Sequence, residues 1–178
     1  MSDNIKSTLS FLDEFIYNFL SKNVDIMPMR FCKLIAYYYT DARVRKLYFN
    51  KLGVFMGDNT FANLGMKVTT GEKKETYMIQ IGNNVSIAPN VTFISESCAN
   101  NSVKLNQLDY VKNKLTLNDK IVVEDDVWIG ANVTILPGVK IGKCSIIGAG
   151  SVVIDDVEEY SIYAGVPAKK IRTLECTL

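Results

Sequence analysis

The tetrapeptide Ser95-Glu96-Ser97-Cys98 holds the side chains of this sequence best suited to move a proton or to form a covalent intermediate. A thiolate is both a base and a nucleophile. A carboxylate becomes a useful base toward a hydroxyl when burial makes its charged form costly, and it suffices with less help toward an amine. The unreactive alternatives are equally concrete: Cys98 as an inert small residue at the mouth of a loop, and Glu96 as a solvated carboxylate. These four residues matter because the 178-residue sequence has no histidine. Any proton transfer therefore falls to other groups.

The same absence bears on metals. Cys32, Cys98, Cys144 and Cys176 are scattered, form no C-x-x-C pair, and have no histidine to complete a zinc site. They read as reduced thiols, and no metal is expected. Twenty basic and nineteen acidic residues give a net charge of +1, so there is no single-sign field to capture nucleic acid. The Met-Ser-Asp-Asn start lacks the basic flank, apolar core and cleavage site of a signal peptide. No apolar run reaches membrane-spanning length. A soluble, cytoplasmic protein is expected. A mass of 19.9 kDa and 48% hydrophobic residues suit one domain with a real core.

The elements that must position the tetrapeptide fall into two regimes. From Ser7 to Leu20 the residues Leu9, Leu12, Phe15, Ile16, Phe19 and Leu20 recur at helical intervals. A second helix is predicted from about Met29 to Tyr48, with Pro28 suited to its start. It carries Tyr37-Tyr38-Tyr39 followed by Arg43, Arg45, Lys46 and Lys51. The simpler role for these helices is to cover one end or flank of the next domain. The alternative is contact with a membrane surface or a lipid-linked substrate.

After Gly53 a sixfold register replaces the helical one. It runs through Met56, Ala62 and Val68, then Ile81, Ile87 and Phe93, then Val123, Ile129, Ile135, Ile141, Ile147 and Val153. A second register four residues on holds Val85, Val91, Val127, Val133 and Val139, then Ser145, Ser151 and Val157. Glycine follows the first position at Gly57, Gly82, Gly130, Gly142 and Gly148, so each hexad reads as a short strand and a tight corner. No single hexad can bury its apolar residue, but stacked three-sided coils can, which predicts a parallel β-helix. Asn and Gly at the corners, as in Gly82-Asn83-Asn84, tolerate a left-handed backbone. The register slips across Gly71–Thr76, which predicts a surface excursion. It breaks again after Phe93 for a long inserted loop whose mouth, Ser95 to Asn101, is the first place to seek a site. The predicted organisation is a helical segment at 1–52, a β-helix at 53–158 with the loop at 94–122, and a tail at 159–178.

Three blocks, Asp126 to Gly142, Ser145 to Val153 and Tyr163 to Arg172, resemble successive blocks of the hexapeptide-repeat acyltransferases. The branch they resemble most is the galactoside, maltose and polysaccharide O-acetyltransferases. Asn59 to Val68 resembles that family's acceptor-binding segment. The resemblance implies an all-β, left-handed parallel β-helix of hexapeptide repeats with an N-terminal helical segment, assembled as a homotrimer. It also implies acetyl-CoA as acyl donor, held in a groove between adjacent β-helices. Carried over residue by residue, Trp128 lines the site near the thioester, and Ala131 and Ala149 flank the pantetheine arm. Lys169 and Arg172 meet the coenzyme A phosphates. Asn63 hydrogen-bonds the acceptor, a sugar or glycan. Plainer roles also exist: Trp128 as an interface rung, Asn63 as part of a corner ladder, and Lys169 and Arg172 as a solvated tail. One departure is Ile154-Asp155, where the family commonly has Thr-Lys; a carboxylate there weakens phosphate contacts.

The resemblance further implies direct transfer, with a histidine at the start of the loop deprotonating the acceptor and backbone N–H groups stabilising the oxyanion. That histidine aligns with Cys98. The related γ-type carbonic anhydrases hold zinc with three histidines and are excluded on ligand grounds. The sequence thus reads as an acetyl-CoA-dependent O-acetyltransferase for a sugar or bacterial surface-polysaccharide precursor, with Cys98 or Glu96 in place of histidine. The alternative is a catalytically silent trimeric binding or scaffold protein.

Overall fold

In the computed structural model, residues 2–70 and 78–175 are described, residues 2–7 at the backbone alone. The excursion expected at Gly71–Thr76 lies outside the described residues. The sixfold register becomes four stacked coils. The first is β1 (Val54–Met56), β2 (Phe61–Ala62) and β3 (Lys67–Thr69); the second is β4 (Ile79–Ile81), β5 (Ser86–Ile87) and β6 (Thr92–Ile94). A loop follows, its stem the antiparallel pair β7 (Glu96–Ser97) and β8 (Leu117–Asn118). The third coil is β9 (Ile121–Val123), β10 (Trp128–Ile129) and β11 (Thr134–Ile135); the fourth is β12 (Lys140–Ile141), β13 (Ile146–Ile147) and β14 (Val152–Val153). Residues 161–173, assigned in the sequence to a tail, form β15 (Ser161–Ala164) and β16 (Lys169–Thr173).

Each coil contributes one strand to each of three parallel faces: β1-β4-β9-β12 (face 1), β2-β5-β10-β13-β15 (face 2) and β3-β6-β11-β14 (face 3). β16 pairs antiparallel outside β15. The register stacks like on like. Met56, Ile81, Val123 and Ile141 align on face 1, Ala62, Ile87, Ile129 and Ile147 on face 2, and Val68, Phe93, Ile135 and Val153 on face 3. All of them are buried. The second register fills the corners, and where it turns polar the hydroxyl finds a carbonyl three residues back: Ser145 Oγ donates to Gly142 O and Ser151 Oγ to Gly148 O, both at 2.6 Å. Burying a hydroxyl costs little once it is bonded.

Residues preceding the second register carry the left-handed backbone: Asn84, Asn90, Asp126, Asn132, Gly138, Cys144 and Gly150 have positive φ. Asn, Asp and Gly tolerate that conformation best. The glycines after the first register serve another purpose. A Cβ on Gly130 would fall 2.6 Å from Ala149 N and 2.9 Å from Ile147 O in the coil beyond. They are small because coils meet there.

The all-β description fits the prism, while its first end is capped by helices α1 (Ser2–Lys22), α2 (Met29–Tyr38) and α3 (Ala42–Lys51). The single helix expected from Met29 to Tyr48 is broken at Tyr39-Thr40-Asp41, because Asp41 is an N-cap. Its carboxylate accepts the N–H groups of Arg43 at 2.8 Å and Val44 at 3.3 Å, and it also pairs with the Arg43 guanidinium at 2.7 Å. Of the other basic residues after the tyrosines, Arg45 and Lys46 fasten the cap to the prism and Lys51 ties the cap together. Arg45 is buried and donates to the carbonyls of Tyr39, Thr40 and Ala62, Lys46 donates to Gly57 O, and Lys51 gathers the carbonyls of Val24, Asp25 and Met27. These cations are used internally. Among the described residues no helix is long and apolar enough to cross a membrane.

The bonds from Arg43, working against partial burial, hold the Asp41 carboxyl below its ordinary 3.8, at about 2. Asp41→Ala is expected to lower stability by about 1 kcal/mol near neutrality. A depressed carboxylate pKa contributes stability above the unfolded value and loses it as pH falls through the folded one. Wild type and Asp41→Ala should therefore converge in stability as pH drops from about 4 toward 2, and diverge above, in thermal denaturation scans.

Candidate active site

The loop mouth is pinned by Ser95, which is buried and bonds Thr69 O through both its N–H (3.0 Å) and its Oγ (2.9 Å), while Asp119 N donates to Ser95 O at 3.0 Å. This fixes both ends of the excursion at the corner where face 3 leads to face 1. Glu96 lies half-buried on β7 opposite Asn118. Cys98 is half-buried, and its thiol donates to Asn100 Oδ1 at 2.9 Å. Asn100 has φ +42° and is held in turn by Asn106 Nδ2 on its carbonyl at 2.8 Å. Asn100 is the residue the sequence reading missed, although an asparagine two residues after a candidate nucleophile is itself a signal, since its amide can either accept from a thiol or donate to a thiolate.

Trp128 stands on the outside of face 2, 57% exposed. The strand register puts Phe61, Ser86, Trp128, Ile146, Ile162 and Arg172 in one outward line. Serine beside the indole leaves a step in that apolar line. Arg172 sits three strands from Trp128, about 14 Å at ordinary strand spacing. Phe61, Ser86, Trp128 and Ile146 each precede a buried register residue by one place, so Phe61 and Ile146 were findable from the same periodicity that located the core, whereas Ile162 precedes the partly buried Tyr163 outside that register.

Asn63, Ala131 and Ala149 all lie on the edge between faces 2 and 3. Gly150 N donates to Ala131 O at 2.8 Å, locking the two alanines' corners together. Asn63 Oδ1 accepts from Leu64 N at 2.8 Å. Its carbonyl half is used by its own turn, so what Asn63 offers a hydroxyl is the N–H₂ half. Lys169 reaches Asp155 at 3.5 Å, both side chains largely exposed. Asp155 therefore does more than replace a cation, since it pairs with the very lysine assigned to the phosphates. Lys170 pairs with Glu158 at 2.6 Å. Among the described residues Cys32, Cys98 and Cys144 are free thiols.

The assigned residues thus occupy two different edges of one prism. Trp128, Ala131, Ala149 and Asn63 flank the edge between faces 2 and 3, and Glu96 and Cys98 emerge from the edge between faces 3 and 1. One copy alone does not bring them together.

Residues 120–155 match the family model for bacterial transferase hexapeptides (six repeats). The galactoside O-acetyltransferase of Escherichia coli is 37% identical over 121 residues, which cover 68% of this chain and 54% of that protein. The chain spans about half the length of the curated relatives it matches, 56% and 54% for two of them. Among solved structures, a hexapeptide-repeat-containing acetyltransferase from Vibrio cholerae is 30% identical with a TM-score of 0.64, covering 83% of this chain and 89% of that one. A structure of that acetyltransferase complexed with acetyl-CoA matches with a TM-score of 0.62 and 30% identity, covering 83% and 85%.

The packing of this edge makes a test that separates sterics from backbone conformation. Gly130→Ala is expected to cost about 1–3 kcal/mol by overpacking. Gly150 has φ +71° and open space around its missing Cβ. Gly150→Ala should cost about 1–2 kcal/mol through conformation alone, and Gly150→Asn should recover most of it, whereas Gly130→Asn should recover nothing. Urea denaturation of the four variants reads the difference.

Proposed function

This chain belongs to the hexapeptide-repeat acetyltransferase family, and from that premise we propose that it is an acetyl-CoA-dependent O-acetyltransferase acting on a sugar or bacterial surface-polysaccharide precursor. The observation that carries the reading is the nearly full-length match to the Vibrio cholerae acetyltransferase, a protein whose structure was also determined with acetyl-CoA. The coil is read as left-handed and the working unit as a homotrimer. The separation of the assigned residues onto two edges supports this, because a neighbour's face 3 to face 1 edge set against the face 2 to face 3 edge would close one groove.

In that groove the small residues Ala131 and Ala149 let the pantetheine arm approach the backbone. Trp128 covers the thioester, and Lys169 and Arg172 meet the phosphates. Asn63 donates its N–H₂ to an acceptor hydroxyl. The acceptor oxygen attacks the thioester carbonyl, the C–S bond breaks, and the hydroxyl proton passes through the base to the departing coenzyme A sulfur. Cys98 acts as that base in its thiolate form, to which a turned Asn100 amide can donate. Glu96 is the second candidate. The absence of histidine favours one other reading, a trimeric binding or scaffold protein that retains the groove without turnover.

Loss of a general base typically costs about 100- to 10,000-fold, while positioning and oxyanion stabilisation survive. Slow but measurable acetyl transfer is therefore expected from the wild type. Cys98→Ala should remove most of it, Cys98→His should preserve or raise it, and Glu96→Gln should matter less. A nucleophilic Cys98 would also leave an acetyl mass on the protein when donor is supplied without acceptor. Full turnover in both Cys98→Ala and Glu96→Gln would reject the pair. Coenzyme A binding with no turnover across a panel of sugars and amines would favour the binding protein.

Donor binding has its own test. Charge reversal at Lys169 and Arg172 should weaken coenzyme A in calorimetry, and Asp155→Lys should tighten it by both removing the competing carboxylate and adding a cation. Unchanged affinity in the double reversal would reject the phosphate assignment.

A further inference from the structure

Helix α1 leaves much of its apolar surface uncovered. It packs on the cap through Tyr17 and Leu20, and Tyr48 Oη donates to Leu20 O at 3.0 Å. Its other large apolar side chains, Leu9, Phe11, Leu12, Phe15, Ile16 and Phe19, are between 45% and 67% exposed. Three phenylalanines at that exposure present on the order of 300 Å², taking about 150–250 Å² per aromatic side chain. With the three aliphatic residues the face reaches the top of the ~300–600 Å² range typical of a monomer's largest apolar patch.

The spacing says what shape covers it. Leu9, Leu12, Ile16 and Phe19 are three, four and three residues apart, the a/d rhythm whose side chains seat between those of a second helix. Charge says which partner. A helix that lies on a lipid surface carries Lys and Arg along its polar face, whereas the charged residues of α1 from Thr8 onward are Asp13, Glu14 and, in the last turn, Lys22. The acidic pair would be repelled by anionic headgroups. Area agrees, since the face counted once on each of two identical partners approaches the ~1,200 Å² at which stable interfaces begin.

We infer that α1 is an intersubunit helix whose Leu9-Leu12-Ile16-Phe19 seam docks on the same seam of a second copy about a two-fold axis. The inference is independent of the acyl-transfer reading. The seam stands on the helical cap at the end of the prism, whereas the proposed groove runs along the flank beside Trp128, so this contact adds copies beyond those that share a groove. The full chain and Leu12→Glu/Ile16→Glu are compared by size-exclusion chromatography with light scattering, with circular dichroism checking that helix content is kept. The variant is expected to have about half the mass of the wild type, as a two-fold contact requires, with coenzyme A affinity unchanged. Ile16→Cys should give an oxidation-dependent dimer on denaturing gels that the wild type does not, which decides the question if the double variant folds poorly. Equal masses with no cross-linked dimer would overturn the inference. Equal masses with wild-type, but not variant, co-sedimentation on phosphatidylcholine–phosphatidylserine vesicles would assign the face to lipid instead.

Discussion

The stacking distance between coils, about 4.8 Å, governs nearly everything else in this chain. At that spacing an inward side chain meets the same position of the coil above and below, so a register of aliphatic residues closes into one continuous column. The same distance leaves no room for a Cβ where corners cross, which is why Gly82 faces Asp125 and Gly130 faces Ala149 so closely. It also forces the chain to turn within a few residues, and the turn is made with positive φ at Asn84, Asp126, Asn132 and their counterparts. One distance thus sets the core, the small residues and the left-handed positions together.

The candidate site inherits these constraints. Ala131 and Ala149 are exposed or half-buried beside Gly130 and Gly150, so the edge they form is narrow for reasons of folding before any ligand is considered. Trp128 can be large because it points outward from face 2, where stacking imposes no limit. The loop that carries Glu96 and Cys98 leaves at a corner because only a corner can be lengthened without breaking a ladder, and Ser95 closes its base by bonding the coil below. Catalytic variety on such a scaffold is confined to corners and outer ladders.

Periodicity made the prism legible because every hexad repeats the same burial demand, and Met56 through Val153 fall on the inner columns as the sixfold register requires. The helical cap was legible only in outline. Asp41 breaks the second helix by a capping bond that apolar spacing does not register, and the cations at Arg45, Lys46 and Lys51 look like a surface patch in sequence but serve backbone carbonyls in space. The candidate site residues were named by resemblance one at a time, yet their division between two edges was not legible, since which corner a residue occupies follows from the whole coil count. Nor could spacing pair Asp155 with Lys169, because β16 runs back against β15 and brings the two together from different elements.

Arg45 joins these levels. Burial pulls its guanidinium pKa down from the ordinary value, with Asp41 acting in the opposite direction, and no carboxylate ion-pairs with it among the described residues. Its partners are instead the carbonyls of Tyr39 and Thr40 in the break between α2 and α3 and of Ala62 at the end of β2. Charge-assisted bonds to carbonyls are about twice as strong as neutral ones, and they offset the desolvation that would otherwise expel the cation. The consequence is geometric. One planar group grips both the break in the helices and the first coil, and through Tyr48 and Lys51 the cap's orientation extends to the end of α1. The direction in which α1 presents its apolar seam is therefore tied to the first coil through the cap, by Arg45 together with Lys46 on Gly57 O and Tyr37 on Val68 O.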